Sequence, residues 1–158
     1  MCQPCPTNCT QCSGTTFVTC TKCTAGYLLD QGGCYLTCQT PSTVPSSDGL
    51  TCTSCSITCL TCSGTQYNCL SCNTSSANKY LSNNNCLSSC GVGYYGDNTL
   101  FTCTRCTPSC DTCVNASITS CLSCLSGNYL YGTTCTTTCP SEYFQNGSIC
   151  SSCQSPCK

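Results

Sequence analysis

Cysteine recurs along this chain on a fixed beat: C-x2-C-x3-C-x2-C, then C-x2-C after six or seven residues, then C-x3-C after ten to thirteen. The first block runs Cys2, Cys5, Cys9, Cys12, Cys20, Cys23, Cys34 and Cys38. The second runs Cys52, Cys55, Cys59, Cys62, Cys69, Cys72, Cys86 and Cys90, and the third Cys103, Cys106, Cys110, Cys113, Cys121, Cys124, Cys135 and Cys139. A fourth opens with Cys150, Cys153 and Cys157. Self-similarity at a period of about fifty residues marks a linear array of one small unit, so the fold must be read per repeat. The blocks place repeat one at 1–51, repeat two at 52–102, repeat three at 103–149 and the start of a fourth at 150–158.

Cysteine fills 27 of the 158 positions, far above the level that marks a disulfide scaffold, and a reducing cytosol would not keep such bonds closed. The expected location is therefore extracellular or at the cell surface. Hydrophobic residues make up 39% of the chain, but that figure counts the cysteines, and without them about a fifth of the chain is left for an ordinary core. Cross-links are expected to do the work of the missing apolar burial.

Four basic residues (Lys22, Lys79, Arg105, Lys158) cannot neutralise a run of phosphates, which removes the electrostatic basis for nucleic-acid binding. The same scarcity disfavours anionic membranes, and no apolar run approaches the length of a membrane span, so no membrane contact by this segment is expected. No secretion leader precedes Cys2, and the cysteine count is odd. Both features lead to the expectation that Met1 and Lys158 delimit part of a longer chain.

Zinc is the rival use of C-x2-C, and Cys20, Cys23, Cys34 and Cys38 have the spacing of a four-cysteine site. Each such site would carry two negative charges, which four basic residues cannot offset across the array. No metal or other cofactor is expected. Catalysis also finds little to work with: there is no histidine to activate a serine or cysteine. The acids Asp30, Asp48, Asp97, Asp111 and Glu142 are scattered and form no carboxylate pair. A redox C-x2-C would need a thiol of lowered pKa at a helix start, and no helical stripe is present. The chain does not read as an enzyme.

The spacing C-x3-C-x2-C-x7-C-x2-C-x10-C-x3-C-x13-C from Cys5 resembles the furin-like repeat of growth-factor receptors, proprotein convertases and R-spondins. The resemblance implies a small, disulfide-rich, mostly irregular fold of short β-hairpins with almost no helix, stacked linearly into an elongated rod. It also implies bridges in the order one to three, two to four, five to six, seven to eight. Carried over by position, these are Cys5 to Cys12, Cys9 to Cys20, Cys23 to Cys34 and Cys38 to Cys52 in the first block. The second block would pair Cys55 with Cys62, Cys59 with Cys69, Cys72 with Cys86 and Cys90 with Cys103. The third would pair Cys106 with Cys113, Cys110 with Cys121, Cys124 with Cys135 and Cys139 with Cys150. Cys2, Cys153 and Cys157 are left over, with partners expected in flanking repeats. Each closed loop stabilises by roughly 2 to 3 kcal/mol in the chain-entropy model.

Aromatic residues follow the same beat. Tyr27-Leu28, Tyr80-Leu81 and Tyr129-Leu130 each follow a C-x2-C, while Tyr94-Tyr95 and Tyr143-Phe144 follow a C-x3-C. Such pairs suit short strands whose rings cover a disulfide or the next hairpin. Tyr94, Tyr95, Tyr129 and Tyr131 are the candidates for contact with a ligand or with another copy of the chain; their other role is hairpin packing. After Cys38 come two prolines and no aromatic, so that segment is expected to be a less packed loop.

Sequons stand at Asn8, Asn73, Asn115 and Asn146. Asn8 is sterically poor between two expected bridges, whereas Asn73, Asn115 and Asn146 lie in turn-rich segments and are candidate glycan carriers. The threonines at 133–134 and 136–138 are candidates for O-linked sugars.

The favoured reading is a non-enzymatic extracellular structural protein, part of a cell-surface coat, stalk or extracellular filament. Its expected partners are glycans and further copies or repeats, through self-association or covalent continuation. In style it resembles cysteine-periodic surface proteins of protists, in ciliates or Giardia; Gly32-Gly33-Cys34-Tyr35 matches a tetrapeptide of the latter. The alternative is a ligand-binding ectodomain of a cell-surface receptor or a secreted growth-factor-type modulator.

Overall fold

A computed structural model describes residues 3–15 and 18–153. Cys2 and Cys157 lie outside the described residues. Eighteen short strands and no helix occur among those described. Six strands recur with each period of the cysteine pattern, the sixth of each set carrying the first cysteine of the next block. The first gives β1 (Cys9–Ser13), β2 (Thr19–Cys23), β3 (Leu28–Asp30), β4 (Gly33–Tyr35), β5 (Thr43–Pro45) and β6 (Cys52–Ser54). The second gives β7 (Cys59–Cys62), β8 (Cys69–Cys72), β9 (Tyr80–Ser82), β10 (Asn85–Leu87), β11 (Tyr94–Asp97) and β12 (Thr102–Arg105). The third gives β13 (Cys110–Cys113), β14 (Cys121–Cys124), β15 (Tyr129–Tyr131), β16 (Thr134–Thr136), β17 (Tyr143–Asn146) and β18 (Ile149–Ser152).

The first hairpin of every block solves a parity problem. Residues three apart on a regular strand face opposite sides, so C-x2-C would send its two sulfurs apart. One extra residue at a β-bulge restores the parity. The bulge recurs in all three blocks: Cys9 faces Cys23, Gln11 faces Lys22 and Cys12 faces Cys20, with register shifts on both sides of Gln11. Thr61 opposite Ser71 and Thr112 opposite Ser123 repeat the arrangement, again flanked by shifts. Their hydroxyls hydrogen-bond across the strands at 2.6 Å in both cases. The bulged strands therefore turn both cysteines of each C-x2-C toward the interior, and Cys59, Cys62, Cys69 and Cys72 are all buried.

The second hairpin is tied to the first by a bond that recurs in each block. The amide of Cys20 donates to Gly32 O at 2.8 Å, that of Cys69 to Asn84 O at 2.9 Å and that of Cys121 to Thr133 O at 2.9 Å. In each case the acceptor sits in the turn of the second hairpin. In the β3–β4 turn Gly32 has φ +78°, and a Cβ there would come within 3.2 Å of Thr19 Cβ. Both conditions select glycine.

Two compact units share the chain, divided after Cys86. In the first, the core cluster is Val44, Cys59, Cys62 and Cys69, with Cys55, Leu81 and Cys86 against it. In the second it is Cys106, Cys110, Cys113 and Cys121, backed by Tyr95, Leu130 and Cys135. Among the described residues, only Leu28 and Val44 of the buried hydrophobic side chains are not cysteine. In the second unit β15 through β18 form one sheet in the order β16-β15-β18-β17, with a parallel contact between Leu130 and Ile149.

The segment after Cys38 differs from its expectation as a less packed loop. It forms β5, paired with β6 through Thr43 to Ser54, Val44 to Thr53 and Pro45 to Cys52. The prolines do not prevent this, because the bonds fall where proline needs no N–H: Pro41 O accepts from Cys62 N at 3.3 Å, Ser42 O from Cys55 N at 2.8 Å, and the Ser46 amide donates to Thr51 O at 2.8 Å. Val44, at 4% exposure, then fills the place an aromatic would have taken. Truncating Val44 to Ala should lower stability by about 1 to 2 kcal/mol, while Leu60→Ala, on an exposed residue, should change it by less than about 0.5 kcal/mol. Denaturant unfolding of the unreduced protein reads both.

Candidate functional site

The candidate site residues are mostly sulfur, and the structure joins them in twelve local pairs. In the first block these are Cys5–Cys12, Cys9–Cys20, Cys23–Cys34 and Cys38–Cys52. The second holds Cys55–Cys62, Cys59–Cys69, Cys72–Cys86 and Cys90–Cys103. The third holds Cys106–Cys113, Cys110–Cys121, Cys124–Cys135 and Cys139–Cys150. Sequence separations run only from 7, at Cys5–Cys12, to 14, at Cys38–Cys52. The last bridge of each block closes over the first cysteine of the next, so the covalent units are offset from the repeat boundaries. Cys153 is exposed, and its amide donates to Glu142 O at 2.8 Å.

Neighbouring bridges touch. Cys9, Cys20 and Cys34 bring their sulfurs within 4.8 Å of one another, as do Cys110, Cys121 and Cys135. These clusters have the donor type of a thiolate metal site, but every sulfur in them is already spent in a disulfide. A bridged sulfur has no thiolate charge to offer zinc. The third grouping, Asp30 with Cys38 and Cys52, contains a buried carboxylate whose Oδ2 accepts the Gln39 amide at 2.9 Å.

The tyrosines divide. Tyr95 packs, half-buried, on the second unit's cysteine cluster, and Tyr94 stands exposed beside it opposite Arg105. Tyr129 is half-buried opposite Thr136, while Tyr131 is exposed and meets Tyr143 edge to face, with centroids 4.8 Å apart and rings at 80°. Tyr143 was not among the sequence candidates. No local spacing rule links it to Tyr131; the sheet order β16-β15-β18-β17 does. In the first unit Lys79 lies over the Tyr80 ring at 5.2 Å, a cation–π contact.

Two surface groups are shifted by their hydrogen bonds. Asp48 sits below its ordinary value because the Ser46 hydroxyl and then the amides of Leu50 and Thr51 donate to its carboxylate. Tyr143 is pushed above the ordinary tyrosine value, first by hydrogen bonding with the Tyr131 phenol. Two open grooves mark the first unit. One, of about 530 Å³, runs past Pro45, Thr53 and Tyr67 and has no titratable acid or base but that phenol. The other, of about 290 Å³, has Lys22, Tyr27, Leu29 and Asp48 on its walls. Of the glycan candidates, Asn115 and Asn146 are exposed and Asn73 is half-buried.

Over 81 residues, 49% of this chain, the sequence is 38% identical to proprotein convertase subtilisin/kexin type 6 of Rattus norvegicus, covering 9% of that protein. Over 158 residues, 99% of this chain, it is 32% identical to the human extracellular matrix organizing protein FRAS1, covering 4% of it. Over 145 residues, 82% of this chain, it is 33% identical to cysteine repeat modular protein 2 of Tetrahymena thermophila, covering 7% of it. These relatives are furin-like cysteine-rich repeat proteins, and this chain repeats small disulfide-laddered units in their manner. No family model matches it. The array spans less than a tenth of the length of each of these relatives. It is a cysteine-rich chain of the extracellular kind.

Alkylation of denatured, unreduced protein should leave the sulfurs of all twelve bridges unlabelled and release no stoichiometric zinc on acidification; general labelling would instead mean a thiol protein. A second outcome concerns pH. A raised folded pKa means that the Tyr131–Tyr143 contact stabilises fully below tyrosine's unfolded value and is lost as pH rises through the folded one. Spectrophotometric titration should show one late-ionising tyrosine, and Tyr131→Phe should move it back toward about 10.

Proposed function

We propose that this array is a non-enzymatic structural segment of a cell-surface coat, stalk or extracellular filament. The observation that supports it most directly is the shortness of every bridge. Each disulfide closes a loop inside its own block or over the first cysteine of the next, so stability is local and repeats can be added without redesign. Such a segment resists proteolysis and reduction while contributing no catalytic group: no histidine stands in the chain, and no acid lies paired with another. The likeness to a matrix protein and to a ciliate cysteine-repeat protein supports the same reading. The segments 1–51, 52–102 and 103–149 serve as the repeating lengths.

The second reading, a ligand-binding ectodomain, draws on one place. Tyr94 and Arg105 stand opposite each other and exposed at the end of the β11–β12 hairpin, and these are residue types that concentrate binding energy. The structural reading gives the exposed tyrosines contacts between copies.

Negative-stain microscopy of native material should show filaments or sheets, lost after Tyr94→Ala and Tyr131→Ala together. Monodisperse short particles at high concentration would remove the filament reading. Saturable capture of one soluble protein, abolished by Arg105→Ala, would establish the ectodomain in its place.

A further inference from the structure

We propose that Asn73 and Asn115 carry N-linked oligosaccharides that cover the most exposed aliphatic side chains of their loops, and that Asn8, despite its sequon, remains bare. The proposal rests on the extracellular reading, because the sugar donor is a lipid of the secretory pathway.

Four sequons look alike in sequence and differ in structure. At Asn115 every residue from Val114 to Thr119 is exposed. The Asn115 side-chain oxygen accepts the Ser117 amide at 2.8 Å, and its backbone oxygen accepts the Ser120 hydroxyl at 2.8 Å. Both acceptors are thus occupied locally, and no described protein group takes the Nδ2 hydrogens. Asn73 repeats the pattern: its side-chain oxygen accepts the Ser75 amide at 3.1 Å. Its own amide donates to Thr58 O at 3.1 Å, which fixes the loop against the neighbouring turn.

Asn146 is different, since its Nδ2 donates across the β17–β18 hairpin to the Ser151 hydroxyl at 3.3 Å. Asn8 is more constrained still. It has φ +62°, its carbonyl accepts from Thr24 N at 2.8 Å, and the residue after it is bridged to Cys20. The sequon hydroxyl of Thr10 is spent on Lys22 O at 3.0 Å. Sugar transfer at Asn8 would therefore compete with closing the Cys9–Cys20 bridge.

The surroundings give the second, independent observation. Ile57 is 90% exposed, and it precedes Thr58, whose carbonyl holds Asn73. Val114 and Ile118, each 60% exposed, flank Asn115. Only 6% of the residues are charged, so little else on this surface holds water around aliphatic groups. A branched sugar on either asparagine lies within reach of these side chains. In the transfer, Nδ2 attacks the anomeric C1 of a lipid-diphosphate-linked oligosaccharide. The N–C1 bond forms, the C1–O bond breaks, the lipid diphosphate leaves and one Nδ2 proton passes to a base of the transferring enzyme.

The test is secretion of the whole chain from a eukaryotic host behind a functional leader, followed by glycan release with a peptide-N-glycosidase in heavy-oxygen water and peptide mass mapping. Labelled aspartate is expected at 73 and 115, with lower occupancy at 146 and none at 8. Asn73→Gln and Asn115→Gln should each remove one sugar mass, Asn8→Gln none, and the double variant should bind several-fold more of an apolar dye. Secreted, fully bridged protein with bare Asn73 and Asn115, or with sugar on Asn8 or Asn146 equal to that on Asn115, would overturn the proposal. Retention in the cell with unbridged thiols is a separate result: it strikes the extracellular reading and takes this proposal with it.

Discussion

Everything here depends on pairs of sulfurs that close small hairpins and tie each to the next. A chain with so few Leu, Ile, Val and Phe cannot bury enough apolar surface to offset the entropy of ordering its backbone. Loops of this length, closed covalently, remove roughly 2 to 3 kcal/mol each from that cost in the chain-entropy account. The sulfurs then serve twice, since a bridged cysteine is also a small apolar group. This explains why the interior of the second unit is a cluster of four cysteines with Tyr95, Leu130 and Cys135 as its outer layer. Packing in this protein is arranged around cross-links, whereas in larger domains the cross-links are added to packing.

The bulge makes the cross-linking repeatable. Without it, each C-x2-C would present one sulfur inward and one outward. With it, the same three-rung register, Cys12 to Cys20, Cys62 to Cys69 and Cys113 to Cys121, is available wherever the spacing occurs. Backbone bonds then copy themselves in step. Thr24 N to Asn8 O, Asn73 N to Thr58 O and Leu125 N to Ser109 O are one contact at three addresses. The residues between the cysteines are consequently under little pressure from the fold. Gln11 and Lys22 occupy in the first block the positions that hydrogen-bonded hydroxyls hold in the others.

That freedom decides what could be read in the sequence. The resemblance of the cysteine spacing to the furin-like repeat carries the hairpin succession and the bridge order, and the lack of an apolar helical stripe carries the expectation of almost no helix. The spacing does not carry the bulge itself, which is a register event without a residue signature. Nor did it carry β5: two prolines and no aromatic after Cys38 read as loose, yet Val44 is among the most buried side chains. The error came from reading proline as a strand breaker where the pairing amides belong to its neighbours, such as Ser46 donating to Thr51 O. The Tyr131–Tyr143 contact was out of reach for another reason, since it depends on β18 lying between β15 and β17. Asn8 was separable from the other sequons by its expected bridges, but Asn146 was not, because its partner Ser151 lies across a hairpin.

A core made of sulfur leaves aliphatic side chains with nowhere to go. Leu28 and Val44 are buried, while Ile57, Leu60, Leu70, Val114, Ile118 and Leu122 are each more than half exposed. Under the two proposals above, a neighbouring copy or a hydrated sugar would cover side chains of this kind. The two solutions exclude each other at any one site, because a sugar on Asn115 occupies the space a partner would need over Val114 and Ile118. With sugars on Asn73 and Asn115 as proposed, the loops that carry them would face solvent, and association would be left to hairpins without a sequon. The bulge leucines Leu60 and Leu70 and the ring of Tyr94 lie on hairpins without a sequon, so the proposed contacts between copies would draw on residues of that kind.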